Sequence, residues 1–297
     1  MNPSASPAVI AWANGNFVDP TAALIAPTAY GLTIGAGLFE TLAVYHGQIF
    51  ALDLHLARLA TSAQHLGLSA PSSTDLARAC QQVAARVTTH PAARMRITVT
   101  EGQGPLGILG PVTGIDVSIL IQPVTAAPPG AVNATPATAL TSKYLINERS
   151  ATAWHKTTSY LDNTLALRAA SIQGAQEAIM FNTAGDLCEG ATSNILVDLA
   201  GEPVTPALSS GCLPGVTRAL LLRGAAQAGR PIRQAAPGEL TRHTIAGAPM
   251  ALLGTLRNLQ VVAELDGRAL PVSAVLGDYQ QMFADQVASN CHPRNVG

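Results

Sequence analysis

The stretch TAWHKTTSYLDNTLALRAA, residues 152–170, contains Lys156, one of only two lysines in a chain of 297 residues. The other lysine is Lys143, and every remaining basic position is an arginine. Lys156 stands just before a predicted helix over about residues 160–173. A lysine amine can form a Schiff base with an aldehyde when its surroundings destabilise the charged form. A solvated loop lysine is the competing interpretation, and spacing alone leaves both open.

The composition excludes several classes of protein. The chain is 48% apolar and 12% charged, which fits one or two domains with a sizeable core. A net charge of −1 without a basic run argues against nucleic-acid binding. We find neither a membrane-length apolar stretch nor a signal-peptide pattern. The four cysteines lack CxxC spacing, so we expect a reduced, cytoplasmic compartment.

An alanine- and proline-rich segment separates two halves of the chain. The segment QPVTAAPPGAVNATP, residues 122–136, cannot form a regular helix or a central strand. We therefore expect an N-terminal small domain over 1–124, an interdomain linker over 125–136 and a C-terminal domain over 137–297.

Each half mixes predicted strands and helices. In the first half, LFETLAVYHGQIF predicts a hairpin, followed by a helix, a second helix over about residues 74–88, and the strands RMRITVT and DVSILIQ. In the second half we expect a strand near ATALTSKYL, the helix after Lys156, and a hairpin of QEAIMFN with LCEGATSNILVDL. A helix starting at about residue 215 and a last strand, PMALLGTLRNLQVV, complete this α+β or α/β pattern.

Four further features are weak candidates for chemistry when taken singly. SSGCLPGVTRALL, residues 209–221, enters a helix where free backbone amides can bind phosphate. Thr255 ends a strand and offers a second phosphate contact. Arg58 on the first helix is either a surface residue or a phosphate ligand. Glu189 is either solvated or a carboxylate that keeps a pyridine nitrogen protonated.

Other catalytic chemistries lack their motifs. The sequence contains no HExxH motif, and the histidines have no ligand spacing, so we expect no metal site. GxSxG and Walker motifs are absent as well. The glycine-rich TEGQGPLG departs from GxGxxG, which argues against a Rossmann nucleotide site.

Five segments taken together, in this order, resemble the class IV (fold type IV) aminotransferase family of pyridoxal-phosphate enzymes. That family includes branched-chain, D-amino acid and R-selective amine transaminases, and 4-amino-4-deoxychorismate lyases. The resemblance spans about residues 31–262. The segments are GLTIGAGLFETLAVYHGQIFALDLHLARL, KTTSYLDNTLALRAA, GDLCEGATSNILV, TPALSSGCLPGVTRALLL and LLGTLRNLQVV.

The resemblance implies a fold, a cofactor and a set of site residues. The fold would have a smaller N-terminal α/β domain and a larger C-terminal domain with a barrel-like sheet that binds pyridoxal 5'-phosphate. Lys156 would form the Schiff base and move the proton, Glu189 would pair with the pyridinium nitrogen, and Arg58 would hold the phosphate. Further cofactor contacts would come from Tyr160, Ser193, Asn194, Val216, Thr217 and Thr255. Substrate contacts would come from Tyr30, Thr41, Leu256 and Arg257.

Two departures and one residue bear on the substrate. Many members carry an acidic and a basic residue where Ala29 and Tyr30 stand, and GAG replaces the commoner GDG, so we do not infer a conventional carboxylate trap. Arg257 fits a substrate contact or a structural salt bridge equally well. Thr41, in FETL, matches a threonine frequent in the lyases, whereas branched-chain enzymes tend to carry glycine there.

The sequence therefore predicts a transaminase that acts on an amino acid or amine with a 2-oxo acid acceptor. The alternative is a 4-amino-4-deoxychorismate lyase that releases pyruvate and gives 4-aminobenzoate. A non-catalytic relative that binds pyridoxal phosphate is the remote alternative. The resemblance also implies a homodimer with active sites near the subunit interface, and no nucleic-acid or membrane partner is expected.

Overall fold

The chain forms two compact units. The computed structural model describes residues 8–22, 25–107 and 110–291. The first unit contains the described residues up to Pro128 together with His155–Ser159, and the second contains Pro129–Trp154 and the described residues from Tyr160. The division between Pro128 and Pro129 lies inside the segment expected as a linker. The five residues around Lys156 group with the first unit, which differs from the single boundary expected from the sequence.

The first unit contains a sheet in which all neighbouring strands are antiparallel, in the order β2-β1-β6-β5-β3-β4. Its strands are β1 (Ile10–Ala13), β2 (Asn16–Val18), β3 (Gly37–Tyr45), β4 (Gln48–Ile49), β5 (Ala93–Gln103) and β6 (Thr113–Pro123). Its helices are α1 (Tyr30–Thr33), α2 (Leu52–Leu66) and α3 (Ser73–Ala84). The predicted hairpin, the first long helix and both long strands are therefore confirmed, and a second helix lies where one was expected but ends earlier.

The alternation of side chains along β3 explains how α2 packs on this sheet. Leu38 and Leu42 belong to one buried cluster with Leu56 and Leu59 of α2. Because successive residues of a strand point to opposite faces, Phe39 lies on the face away from this cluster. Strand β3 therefore packs against α2 through the face of Leu38 and Leu42, and the side chain of Phe39 lies on the opposite face.

The second unit contains a mixed sheet in the order β12-β11-β10-β13-β14-β7-β8-β9, with β15 paired to β14. Its strands are β7 (Ala137–Thr141), β8 (Glu177–Phe181), β9 (Leu187–Gly190), β10 (Asn194–Leu199), β11 (Glu202–Thr205), β12 (Arg233–Gln234), β13 (Met250–Gly254), β14 (Asn258–Leu265) and β15 (Arg268–Ala269). Its helices are α4 (Leu161–Ile172), α5 (Val216–Gln227), α6 (Ala274–Cys291) and a short 3-10 helix, Leu208–Ser210.

This second sheet curls back on itself. Strand β9 ends the sheet order, and β10 lies near the other end, yet residues 191–193 suffice to join the two strands. A flat sheet would separate them by five strand positions, so the sheet must be strongly curved. This curvature agrees with the barrel-like sheet expected for the C-terminal domain.

Two predicted strands are each divided in the structure. LCEGATSNILVDL forms β9 and β10, because Gly190 and Ser193 exchange backbone hydrogen bonds of 2.7 and 3.3 Å that close a turn. PMALLGTLRNLQVV forms the antiparallel pair β13 and β14, and Asn258 adopts the left-handed φ of 56° that ends the turn between them. The strand end expected at Thr255 agrees with the end of β13 at Gly254, whereas the continuation of either segment as one strand was wrong.

The second helix is shorter than expected. Helix α3 ends at Ala84 because the amides of Arg86 and Val87 bond to carbonyls three residues back, which tightens the chain out of the α-helix. Among the described residues, no helix combines the length and the apolar character that a membrane crossing requires.

Candidate active site

The main chain around Lys156 is fixed by the start of β3 in the first unit. The Phe39 amide donates to the carbonyl of Lys156 at 2.9 Å, and the Thr158 amide donates to the carbonyl of Gly37 at 2.9 Å. An isolated antiparallel bridge pairs Leu38 with Thr157 between these bonds. The segment is therefore a short extension of the sheet, and the position of Lys156 is set by main-chain hydrogen bonds.

The side chain of Lys156 is half-buried and contacts an aromatic ring. Its Nζ lies 4.4 Å from the centroid of the Phe39 ring, and the guanidinium carbon of Arg96 lies 3.8 Å from the same centroid. Phe39 is buried, so the two cations share a desolvated aromatic surface, where cation–π attraction is strongest. Together they concentrate positive charge beside Phe39, which favours an anionic ligand.

Sequence reasoning did not select Arg96. The register of the sheet pairs Arg96 of β5 with Thr41 of β3, and Thr41 is a predicted substrate residue. The two residues are far apart in sequence, and only the pairing of β3 with β5 makes them neighbours. The alternating pattern of RMRITVT was the available signal, because it assigns Arg96 to the face opposite the buried Met95 and Ile97.

His155, the residue before Lys156, contacts α2. Its Nδ1 lies 3.0 Å from Oγ of Ser62, and its ring meets the ring of His65 edge to face at a centroid distance of 5.0 Å. Burial, aided by the nearby charge of His65, lowers the pKa of His155 below its ordinary value. The lowered pKa favours the neutral imidazole, and the contact with Ser62 adds a side-chain interaction to the main-chain bonds that hold Lys156.

Arg58 lies on α2 in a buried cluster with Glu40 and His55. Its Nε and Nη2 donate to the two carboxylate oxygens of Glu40 at 2.8 and 2.6 Å, and His55 Nδ1 lies 2.7 Å from Oε2. Burial opposes the ionisation of Glu40, but the charge of Arg58 and the hydrogen bonds from His55 and Arg58 outweigh it and lower the pKa of Glu40 to about 2. Glu40 therefore holds the guanidinium plane of Arg58 in one orientation.

The sequence indicated Arg58 but not its two partners. His55 precedes Arg58 by three positions, so both lie on the same side of α2. Glu40 belongs to the FETL motif, in which only Thr41 was a predicted site residue. Glu40 lies among apolar residues of β3, which indicates that it is buried. A buried carboxylate requires a partner, and this was the signal that could have identified the cluster.

In the second unit, Glu189 is oriented by hydrogen bonds from two other segments. Its Oε2 accepts from the Leu213 amide at 2.8 Å and from Asn194 Nδ2 at 3.3 Å. Asn194 Nδ2 also donates to the Leu213 carbonyl at 2.8 Å. These bonds join β9, β10 and the loop before α5. A half-buried carboxylate fixed in this way is suited to pair with a protonated pyridine nitrogen.

The start of α5 lies beside Asn194, which donates a hydrogen bond to Glu189. Val216 and Thr217 begin the helix and are buried, and the amides of a first helical turn lack carbonyl partners within the helix. The preceding residue is Gly215, where a methyl group would overlap the side-chain oxygen of Asn194. The helix start therefore packs closely against Asn194, and its amides and positive dipole fit a phosphate group.

The turn between β13 and β14 carries Thr255, Leu256 and Arg257, all half-buried. Arg257 Nη1 donates to Gln260 Oε1 at 2.9 Å, and Nη2 donates to the Gln176 carbonyl at 3.1 Å. Nη2 also lies 3.5 Å from Oε2 of the buried Glu177. These contacts favour the structural salt bridge over the substrate contact, the two interpretations that the sequence left open for Arg257.

Three other predicted site residues have protein partners. The Tyr160 hydroxyl donates to the Ala191 carbonyl at 3.0 Å, and Ser193 Oγ donates to Glu177 at 3.0 Å. Tyr30 is buried, and its hydroxyl contacts the Pro105 carbonyl at 3.0 Å and also the Gly107 carbonyl. Among the predicted site residues of the second unit, the structure brings Glu189 and Asn194 together with the start of α5.

The buried cysteines are unsuited to nucleophilic catalysis. Burial raises the pKa of Cys80 to about 12 and that of Cys212 to about 11, and it also raises the pKa of Cys188. A thiol with such a pKa is protonated near pH 7. Within the described part of the chain, no group of three or more histidine, cysteine or acidic side chains is placed to hold a metal ion.

Comparison with known proteins defines the family. The family model described as amino-transferase class IV matches residues 37–265, and the chain belongs to that family. It is 28% identical to the branched-chain-amino-acid aminotransferase of Pseudomonas aeruginosa over 275 residues, covering 88% of this chain and 86% of that protein. It is 27% identical to a bifunctional aminodeoxychorismate lyase / D-amino acid transaminase of Mycobacterium tuberculosis, covering 64% of this chain and 66% of that protein.

Solved structures agree with this assignment. A fold IV-transaminase from Curtobacterium pusillum is 26% identical and aligns with a TM-score of 0.77, covering 91% of each chain. The predicted family, the fold class and the enzyme class, a class IV aminotransferase, are therefore confirmed. The predicted cofactor, pyridoxal 5'-phosphate, is supported by the same family assignment.

Proposed function

We propose that Lys156 is the residue through which this aminotransferase binds pyridoxal phosphate covalently while it moves an amino group from a donor to a 2-oxo acid. The observation that carries the proposal is the placement of Lys156, whose main chain is bonded to β3 and whose Nζ contacts the buried Phe39 ring. When bound, pyridoxal phosphate supplies an electron sink that stabilises negative charge on the substrate carbon.

In the first unit, Lys156 is both the attachment point and the proton carrier. The main-chain bonds to β3 keep its Cα in place, and its side chain would hold the cofactor from that fixed point. A lysine Nζ in its neutral form accepts a proton from the substrate carbon and returns it to another atom. Arg58 binds the cofactor phosphate, and Glu40 keeps its guanidinium in position.

In the second unit, three groups of donors and acceptors are available to the cofactor. Glu189 accepts a hydrogen bond from the pyridine nitrogen and keeps that nitrogen protonated. The amides of Val216 and Thr217 bind phosphate at the start of α5. Thr255 adds a hydroxyl donor, and Asn194 holds Glu189 and the loop before α5 in register.

The donor class and the assembly also belong to this proposal. The similarity to the P. aeruginosa enzyme supports an amino acid donor. We propose a homodimer, since the family resemblance implies that the partner subunit helps to close the site, and sedimentation equilibrium at about twice the mass of one chain would support it. A cytoplasmic location remains a prediction from the scattered cysteines.

A lyase acting on 4-amino-4-deoxychorismate is the second candidate. Its support is the residue type at Thr41, a threonine that is frequent in the lyases of this family; Thr41 lies half-buried on β3 opposite Arg96. The similarity to the bifunctional M. tuberculosis protein, whose name includes both activities, points the same way. The two reactions share their early steps and diverge in whether a substituent leaves the substrate.

The test is a half-reaction without acceptor. The purified protein loaded with pyridoxal phosphate is mixed with L- and D-amino acids and simple chiral amines, and its absorbance is recorded. A transaminase converts the cofactor to its aminated form, and the donor that does so identifies the substrate class. Failure of every donor, with pyruvate released from aminodeoxychorismate, would establish the lyase instead.

A further inference from the structure

We propose that Glu177 is a positioning residue that fixes two turns carrying cofactor contacts, residues 191–193 and 255–257, relative to each other. This inference rests on the proposed function, which places Thr255 at pyridoxal phosphate, and on the cofactor contact that the family resemblance implies for Ser193. The sequence did not indicate Glu177. In the structure, it is a fully buried acidic side chain at the start of β8.

The carboxylate of Glu177 binds the first turn through hydroxyl groups. Thr192 Oγ1 donates to Oε2 at 2.7 Å, and Ser193 Oγ donates to the same oxygen at 3.0 Å. The other oxygen, Oε1, accepts from the Ala178 amide at 3.0 Å. Both oxygens are therefore engaged, and the two hydroxyls of the turn converge on one atom.

The second turn reaches the same oxygen through Arg257. Nη2 of Arg257 lies 3.5 Å from Oε2 of Glu177 and donates to the Gln176 carbonyl at 3.1 Å. Arg257 belongs to the turn of Thr255 and Leu256, so the ion pair joins that turn to β8. Gly254, which precedes the turn, also lies close to the first turn, since a methyl group there would be 3.7 Å from the Thr192 carbonyl.

Close packing around Gly190 holds the carboxylate in place. A methyl group on Gly190 would lie 3.1 Å from Cγ and Cδ of Glu177, which is tighter than most carbon contacts. A buried carboxylate needs a positive partner and full hydrogen bonding, and here Arg257, two hydroxyls and an amide supply them. Two consequences follow. Glu177 fixes the two turns relative to each other, and the guanidinium of Arg257 contacts Glu177 and the Gln176 carbonyl.

A glutamine at position 177 cannot reproduce these bonds. The side-chain amide has one accepting oxygen and one donating nitrogen, whereas both carboxylate oxygens accept. If the amide oxygen faces Thr192 and Ser193, the nitrogen opposes the Ala178 amide. In the opposite orientation the two hydroxyls lose their acceptor. The ion pair with Arg257 is lost in either case.

The experiment measures the dissociation constant of pyridoxal phosphate by titrating the full-length apo protein and recording absorbance and induced circular dichroism. We compare the wild type with Glu177→Gln, Thr192→Val, Arg257→Gln and the double variant Glu177→Gln/Arg257→Gln. Glu202→Gln is the control, because Glu202 forms an exposed ion pair with Arg233 in the same unit. The thermal midpoint of each apo protein is measured in parallel.

We expect Glu177→Gln to weaken pyridoxal phosphate binding about tenfold and to change the induced circular dichroism of the bound cofactor. Thr192→Val, which removes one of the two hydroxyls, should weaken binding by a smaller factor. Glu202→Gln should leave the dissociation constant unchanged. Because Glu177 and Arg257 act as a pair, the double variant should lose less than the product of the single losses.

Two outcomes would overturn the inference. One is wild-type affinity and dichroism in Glu177→Gln. The other is a loss of affinity that matches a fall in the apo thermal midpoint with no change in dichroism, which would make Glu177 a residue of fold stability alone. Failure of the proposed function has a different signature, because the wild type itself would then show neither the absorbance nor the dichroism of a bound cofactor.

Discussion

Phe39 shows how single residues organise the first unit. Its amide holds the carbonyl of Lys156, and its ring contacts the cations of Lys156 and Arg96. One residue before Lys156, His155 contacts Ser62 of α2. One residue after Phe39, Glu40 binds Arg58 of the same helix. Strand β3 therefore positions the lysine through its main chain and the arginine through a side chain.

Removal of Arg58 should destabilise the first unit. Arg58→Ala removes the cationic partner of the buried Glu40 carboxylate and leaves the contact with His55, and we expect a loss of about 3 kcal/mol in the free energy of unfolding. The matched control is Arg78→Ala, which breaks an exposed ion pair with Asp75 and should cost about 0.5 kcal/mol or less. Urea denaturation of the apo proteins measures both, and equal losses would show that the Glu40 pair contributes little.

The ionisation of Glu40 should make stability depend on pH in acid. Its pKa is about 2 in the folded chain and 4.5 as an ordinary value, so the ionised form is favoured by folding. This contribution is present in full above pH 4.5 and is lost as the pH falls towards 2, and it amounts to about 3 kcal/mol. Unfolding free energies of the wild type and Glu40→Gln, measured across that range, should show a shallower slope in the variant. Parallel curves would contradict this role for Glu40.

At the scale of elements, the start of α5 depends on a residue without a side chain. A methyl group on Gly215 would overlap Asn194, which holds Glu189 and the loop before α5. We expect Gly215→Ala to displace Asn194 and to weaken pyridoxal phosphate binding at least tenfold, since several bonds shift together.

The control for this prediction lies in another helix. Gly277 of α6 has open space where a methyl group would be placed, so Gly277→Ala should raise the free energy of unfolding by about 0.5 kcal/mol through helix propensity and leave cofactor binding unchanged. Cofactor titration of the two variants is the measurement. Equal affinity in Gly215→Ala and the wild type would show that the helix start tolerates the shift of Asn194.

The sequence predicted the positions of helices and strands better than it predicted the turns that divide two of the strands. The hairpin of β3 and β4 was predictable because apolar residues flank a turn at His46 and Gly47, both of which have positive φ. The breaks after Gly190 and Gly254 were harder to predict, because apolar residues resume directly after the short segments ATSN and TLRN. What ends these strands is a turn held by Ser193 in one case and the left-handed Asn258 in the other.

The candidate site was predictable only in part, because some of its residues are brought together by contacts between segments distant in sequence. Lys156, Arg58 and Glu189 belong to segments that resemble the family, so their types and order were enough to select them. Arg96 and Glu177 depend on strand register and burial, which long-range pairing determines. Arg257 was ambiguous because a guanidinium serves a substrate or a buried carboxylate equally well, and only its neighbours distinguish the two roles.

At the scale of the whole molecule, the family assignment and the two units account for most of the chain. The family match covers residues 37–265, which includes both the segment of Lys156 and that of Glu189. Lys156 belongs to the first unit by its packing although it follows Pro129–Trp154 of the second unit in sequence. The chain thus returns to the sheet of the first unit for five residues, and those residues contain the lysine on which the proposed function depends.

The most direct test of that function is reductive trapping. Borohydride added to the protein loaded with pyridoxal phosphate reduces the bond between cofactor and lysine to a stable one, and peptide mass spectrometry then locates the added mass. We predict modification of the peptide containing Lys156, its loss in Lys156→Ala and its persistence in Lys143→Ala. Because the chain has no other lysine, modification at Lys143, or unchanged modification of the Lys156→Ala protein, would contradict the account.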